Sequence, residues 1–163
     1  MAEPPPSTES PNAEPPIAEP PAAEPPLPFL RRDGAARRVL VVDDGTLVRL
    51  YYGEALRAAG FEVEEAINGI EAMERLLTGR FDLVVVDINM PKMDGLSFLR
   101  ALRAQPGLAS LPAVVTSTEA AEGDRDAARA AGANFYLVKP VAEAALALHA
   151  ALLTGAPAEG TRA

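Results

Sequence analysis

Phe81-Asp82-Leu83-Val84-Val85-Val86-Asp87 is a run of branched apolar residues that stops on an acid. A strand with one face in water alternates apolar and polar residues. An unbroken Val/Leu run of this length suits a strand buried on both faces, as in a parallel sheet covered by helices. Arg38-Val39-Leu40-Val41-Val42-Asp43 has the same texture and the same acidic stop. Ala113 to Ser117 and Phe135 to Val138 read alike, and Phe61 to Glu65 is a weaker fifth run.

Helical patterns separate these runs. Val48, Tyr52, Ala55 and Ala59 fall on one helical face, with Gly60 as the stop. Ile70, Met73 and Leu77 predict a second apolar stripe before Gly79, and Leu96, Leu99 and Leu102 a third before Pro106-Gly107. An Ala-rich helix over 120–131 ends at Gly132, and a last helix spans 141–153. Gly53 lies inside the first helix, at about 1 kcal/mol relative to Ala, with no reason visible in the sequence.

The fold class is therefore α/β: a (βα)5 doubly wound, parallel five-stranded sheet with right-handed crossovers. Ligands of such sheets bind at the carboxyl ends of the strands. There the chain places Asp43-Asp44 after strand 1, Asp87 at the end of strand 3, Ser117-Thr118 after strand 4 and Lys139-Pro140 after strand 5. In the strand order 2-1-3-4-5, these groups converge. Any one of them has an ordinary structural explanation, such as a helix N-cap for Asp44; their joint occurrence carries the argument. Clustered carboxylates resist ionisation unless a cation sits among them, and Mg2+ suits an all-oxygen site. A carboxylate beside such an ion can attack phosphorus. Lys139 and the Ser117 hydroxyl would then spread positive charge around the phosphoryl oxygens. The only His, His149, lies far along the last helix and reads as a surface or interface residue.

Val41-Val-Asp-Asp44, Val86-Asp-Ile-Asn-Met-Pro-Lys-Met-Asp-Gly95 and Tyr136-Leu-Val-Lys-Pro140 together resemble the bacterial response-regulator receiver family, of the single-domain, flavodoxin-like CheY type. The resemblance covers about residues 37–153. It implies that Asp87 is the phospho-acceptor. It also implies that Asp44 and Asp87 bind Mg2+ (or Mn2+), with Asn89 through its backbone carbonyl and Asp43 mostly through water. Lys139 would pair with the phosphoryl group and precede a cis Pro140. Ser117 would be the switch hydroxyl and Tyr136 its aromatic partner, read out on helix 4, strand 5 and helix 5. Asn89 and Glu119 match positions that tune phosphoryl lifetime, and Thr118 would narrow access to the site. The implied phosphodonor is a histidine kinase or histidine phosphotransfer protein, and the output an unidentified downstream protein.

The rest of the chain bounds the function. Residues 1–36 read as a disordered Pro/Glu/Ala-rich tail. Residues 1–30 hold 11 of the 16 prolines, and Ala-Glu-Pro-Pro recurs from Ala13, Ala18 and Ala23. Proline lacks the N–H that helices and sheets need, so this stretch reads as solvated polyproline II, reaching roughly 90 Å at about 3.1 Å per residue. Residues 154–163 read as a flexible C-terminal tail, leaving no room for an output domain. Net charge is −8 with no basic footprint, which argues against nucleic acid. No apolar run is long enough for a membrane span, no secretory signal opens the chain, and no cysteine is present, so a cytoplasmic protein is expected.

In the last helix, Val141, Ala145, Leu148 and Leu152 predict the core stripe. Leu146 and Leu153 fall off it, and that excess suggests a partner or dimer face. A monomer, or a weak phosphorylation-dependent dimer, is expected. Chemotaxis is preferred over a phosphorelay shuttle or a phosphate sink. A phosphatase of the haloacid dehalogenase type lacks its second acid, since Ile88-Asn89 follows Asp87. A dinucleotide binder lacks its glycine loop. A purely structural interaction module is disfavoured by the intact acidic set. The protein is expected to be a phospho-acceptor rather than an enzyme.

Overall fold

The structure, a computed structural model, describes residues 35–156. The two expected tails lie almost wholly outside these residues. The described part alternates strand and helix throughout: β1 (Arg38–Val42), α1 (Thr46–Ala58), β2 (Glu62–Ala66), α2 (Gly69–Thr78), β3 (Leu83–Asp87), α3 (Gly95–Ala104), β4 (Ala113–Ser117), α4 (Glu122–Ala131), β5 (Phe135–Val138) and α5 (Glu143–Thr154). All four pairings are parallel, in the expected order β2-β1-β3-β4-β5.

The apolar strands split their side chains between two cores because successive Cβ atoms point to opposite faces. Leu40, Val42, Val84, Val86 and Val115 face α2, α3 and α4, around a fully buried Phe98. Val39, Val41, Leu83, Val85 and Val114 face α1 and α5, against Leu56 and Leu146. Both faces of the sheet are thus covered, which is why its inner strands need no polar positions.

Two helices present different faces from those predicted. In α5, Leu146, Ala150 and Ala151 are buried, while Leu148 and Leu152 are 46% and 62% exposed. Of the predicted core stripe, Val141 is buried just ahead of the helix and Ala145 is half-buried, whereas Leu148 and Leu152 lie outside. A helix that is apolar almost all round has no polar face to set its rotation, so packing decides it. In α2, Ala72 and Leu76 are buried, whereas Ile70 and Leu77 lie outside. Ala72 and Leu76 sit in the core and Met73, from the predicted stripe, packs half-buried against it, while Ile70 and Leu77 stand at the margin.

The C-terminal boundary also shifts. Thr154 is the last residue of α5, and Ala156 is buried in the second core. The Arg37 guanidinium donates to the Thr154 carbonyl, tying the start of β1 to the end of α5. At Gly53 a Cβ would meet only the movable end of Arg57, 2.9 Å from its Nη1, so packing does not demand glycine there. Arg57 lies across Gly53 to reach Glu65, at 3.6 Å. The acidic edge strand β2 is flanked this way from several sides, with Arg38 and Arg75 on Glu64 and Arg49 on Glu65. Charged edges of this kind disfavour pairing with another sheet.

Candidate functional site

Because the strands are parallel, every residue that follows a strand emerges at the same edge. Asp43 leaves β1 still held to the sheet, its N–H donating to Ala66 O at 3.2 Å. Its Oδ1 accepts the Gly45 N–H at 2.8 Å and turns the chain into α1. Its Oδ2 accepts from Lys139 Nζ at 2.9 Å. Asp87 closes β3, paired in register with Thr116, and its Oδ1 lies 3.2 Å from the same Lys139 Nζ. Asp43 and Asp87 are both buried, and Asp44 stands exposed beside them. One oxygen from each of the three carboxylates falls within 4.8 Å of the others.

The electrostatics follow from this crowding. Burial pushes the Asp87 carboxyl above its ordinary range, and the neighbouring charge of Asp43 adds to the rise. Lys139 and the Asn89 amide N–H oppose it without cancelling it. Burial pulls Lys139 down, but Asp43 and Asp87 outweigh that and hold the ammonium protonated above its usual range. Three carboxylates against one ammonium leave the cluster about two charges short. A hard divalent cation with oxygen ligands supplies that deficit, so the residues present fit Mg2+.

The remaining predicted residues fall around this centre. Lys139 donates its N–H to Ser117 O at 2.7 Å and precedes a cis bond to Pro140. Ser117 is fully buried, and its Oγ accepts the Glu119 N–H at 3.1 Å. Tyr136 packs toward the α2–α3–α4 core, and its hydroxyl donates to Glu119 O at 2.7 Å. Glu119 thus joins Ser117 and Tyr136 through its backbone, while the residue itself is exposed. Asn89 is exposed in the loop after β3. Thr118 lines a groove of about 400 Å3 with Leu47, Tyr51 and Pro140, next to Lys139. His149 lies elsewhere, its Nδ1 2.6 Å from Ala145 O and its ring edge-on to Phe135.

Two residues of the site were not picked out by sequence reasoning. Gly95 opens α3 against the end of β3, donating its N–H to Ile88 O at 2.9 Å. A Cβ there would lie 2.3 Å from the Asp87 carbonyl oxygen, so only glycine allows this approach. The signal was the Asp-Gly pair at a helix start, with Asp94 as N-cap. Arg49 donates from Nη1 to Asp43 O at 2.8 Å and is held by Glu65. Nothing local in the sequence marks that contact.

Comparison with known proteins places this geometry. The response regulator receiver domain family matches residues 39–151. The chain is 47% identical over 103 residues to the transcriptional regulatory protein PrrA of Mycobacterium leprae, covering 63% of this chain and 43% of that protein. It spans 13% to 43% of the length of the curated relatives it matches. Among solved structures, the chemotaxis protein CheY4 of Vibrio cholerae superposes with a TM-score of 0.70 at 34% identity, over 73% of this chain and 99% of that one. The receiver domain of the sensor histidine kinase PA1611 of Pseudomonas aeruginosa, with a magnesium ion coordinated in its active-site cleft, gives a TM-score of 0.69 at 30% identity, over 75% of this chain and all of that one. Five parallel strands in this order, the convergent acids and lysine, and a family match over the whole sheet lead to one conclusion: the chain belongs to the response regulator receiver domains of two-component signalling.

Proposed function

We propose that Asp87 takes a phosphoryl group from a phosphohistidine on a histidine kinase or histidine phosphotransfer protein, and that the change is read by a partner at α4, β5 and α5. The observation that carries this reading is one lysine shared by two buried aspartates, at 2.9 and 3.2 Å, with a third carboxylate alongside. Asp43 has both oxygens engaged, by Gly45 and by Lys139. Asp87 is the buried acid at the strand end itself and the better nucleophile position. An Asp87 oxygen bonds to phosphorus as the donor's P–N bond breaks, and the freed imidazole nitrogen is reprotonated from water. Lys139 moves from sharing two carboxylates to pairing with the new oxygens, as transferring phosphoryl groups require. Asp43, Asp44 and Asp87, with the Asn89 carbonyl, would hold Mg2+ or Mn2+, whose chemistry here is to neutralise charge on the transferred group.

The added charge is nearly two units. It draws on Ser117, whose Oγ meets Glu119 N, and Glu119 O meets Tyr136, so a shift of the hydroxyl is passed to β5. The protein acts as an acceptor and relay of state rather than as a turnover enzyme. The likeness to CheY4 over nearly all of that chain supports a chemotaxis role. With Mg2+ and acetyl phosphate, the full chain should gain about 80 Da, the mass of one phosphoryl adduct on aspartate. Asp87→Asn should gain nothing; an equal gain in that variant would assign the acceptor elsewhere.

A further inference from the structure

Helix α1 carries two of the chain's three tyrosines, Tyr51 and Tyr52, and the acceptor chemistry above uses neither. Strand alternation sets what lies beneath them. Val41, Val85, Val114 and Leu137 face α1 and α5. Two residues further along, Asp43, Asp87, Thr116 and Lys139 emerge on that same side of the sheet.

Tyr52 is 3% exposed and packs in that core. Burial pushes its phenol up, Lys139 and the Thr116 hydroxyl pull it down, and Asp43 and Asp87 push it up again, so the hydroxyl stands at the floor of the cluster. Thr116 Oγ1 is wholly buried and meets no partner at full hydrogen-bonding geometry, so the Tyr52 hydroxyl beside it makes a contact rather than a formed bond. Tyr51 acts on the backbone instead. Its hydroxyl donates to Val141 O at 3.2 Å, from α1 to the residue two beyond Lys139. The Lys139 N–H is fixed from the other side, to Ser117 O at 2.7 Å. Residues 139–141 are thus held by β4 ahead and by α1 behind.

With Leu47, Val48 and Pro140, the two tyrosines wall the groove of about 400 Å3 in which Lys139 is the one charged lining residue. A lysine stem laid along apolar walls keeps its ammonium at the polar end. Here that end is Asp43 Oδ2 at 2.9 Å and Asp87 Oδ1 at 3.2 Å. We propose that Tyr51 and Tyr52 are positioning residues for Lys139: Tyr51 ties the turn behind the lysine to α1, Tyr52 forms the floor beneath its ammonium, and together they hold that ammonium between Asp43 and Asp87. Core packing alone does not account for the two hydroxyls, since phenylalanine would fill the same space and bury no polar atom. A flexible lysine clamps a transferring group only when it is already in place, so the tyrosines set how fast Asp87 is modified. That consequence rests on the acceptor reading above, whereas the placement of the ammonium does not.

The chain has two lysines, Lys92, exposed in the loop after β3, and Lys139, so isotope-labelled lysine gives two side-chain nitrogen signals in the full-length protein. Tyr51→Phe/Tyr52→Phe removes both hydroxyls and keeps both rings. It should displace the Lys139 Nζ signal and speed its proton exchange with water about fivefold, the factor that loss of one ordinary hydrogen bond implies, with Lys92 unchanged. With Mg2+ and acetyl phosphate, the same variant should form the Asp87 adduct about fivefold more slowly. Ala72→Gly, in α2 on the other face of the sheet, weakens the fold without touching Lys139 and should keep the parent's lysine signals and rate. A parent-like Lys139 signal in the tyrosine variant would overturn the proposal, as would an equal displacement in Ala72→Gly. So would a parent-like rate of adduct formation, since a displaced lysine cannot clamp the phosphoryl group. If the parent itself gains no phosphoryl group on Asp87, the acceptor reading is what fails, and the lysine signals alone decide the placement.

Discussion

Gly95→Ala tests the contact that seats α3 on the acidic edge. A methyl group at Gly95 would stand 2.3 Å from Asp87 O, 2.8 Å from Ile88 Cα and 3.0 Å from Asp87 C. Carbon contacts are most favourable near about 3.5–4.0 Å, so the nearest overlap exceeds an ångström and involves backbone that cannot turn aside. Overpacking of this kind costs about 1–3 kcal/mol, and this case belongs at about 3. Replacing glycine within a helix returns up to about 1 kcal/mol. The net loss is about 2 kcal/mol, which at about 4 °C per kcal/mol lowers Tm by about 8 °C for a domain of this size.

Gly123→Ala is the matched control, since nothing lies within 4 Å of a Cβ built at that position. It should leave Tm unchanged or raise it slightly. Urea or thermal unfolding, followed by circular dichroism, reads both variants. Gly95→Ala should also slow phosphorylation by acetyl phosphate, because the overlap displaces the backbone of Asp87 itself. Equal stabilities for the two variants would refute the reasoning, for it would mean that the close approach of α3 to β3 carries no constraint.

Leu146→Ala should destabilise by about 2–5 kcal/mol, as a buried leucine does, whereas Leu152→Ala, 62% exposed, should stay within about 0.5; denaturant midpoints decide between this and the opposite helix face. Asp94→Ala should cost about 1 kcal/mol by removing the N-cap of α3. Because the Ser97 N–H holds the Asp94 carboxyl below its usual 3.8, the native state binds that proton less readily than the unfolded chain. The cap's contribution is therefore complete above the usual carboxylate range and fades as pH falls below it, so the gap between variant and parent in a pH series of unfolding curves should close in acid. Mg2+ at about 100 times its Kd should stabilise the fold by about 2.7 kcal/mol, and Asp44→Asn, at an exposed member of the cluster, should blunt that thermal shift; an undiminished shift would place the ion elsewhere.

Much of this was legible in the sequence, for a physical reason. Strands buried on both faces must be continuously apolar, so Val39 to Val42 and Leu83 to Val86 announce a parallel sheet without any tertiary information. Parallel strands all end at one edge, so Asp43, Asp87, Ser117 and Lys139 had to meet there once the order was β2-β1-β3-β4-β5. What the tertiary structure alone decided are matters of phase and contact. The rotation of α5 was not encoded in its pattern, because Ala and Leu occupy nearly every position and only the fit of Leu146 against the sheet selects a face. The need for glycine at 95 arises from a backbone in β3. The backbone of Glu119 joins Ser117 to Tyr136 across two strands. Periodicity reports whether a segment has a buried side and where a strand ends; which atoms meet across the core depends on shapes that only the assembled sheet and helices define.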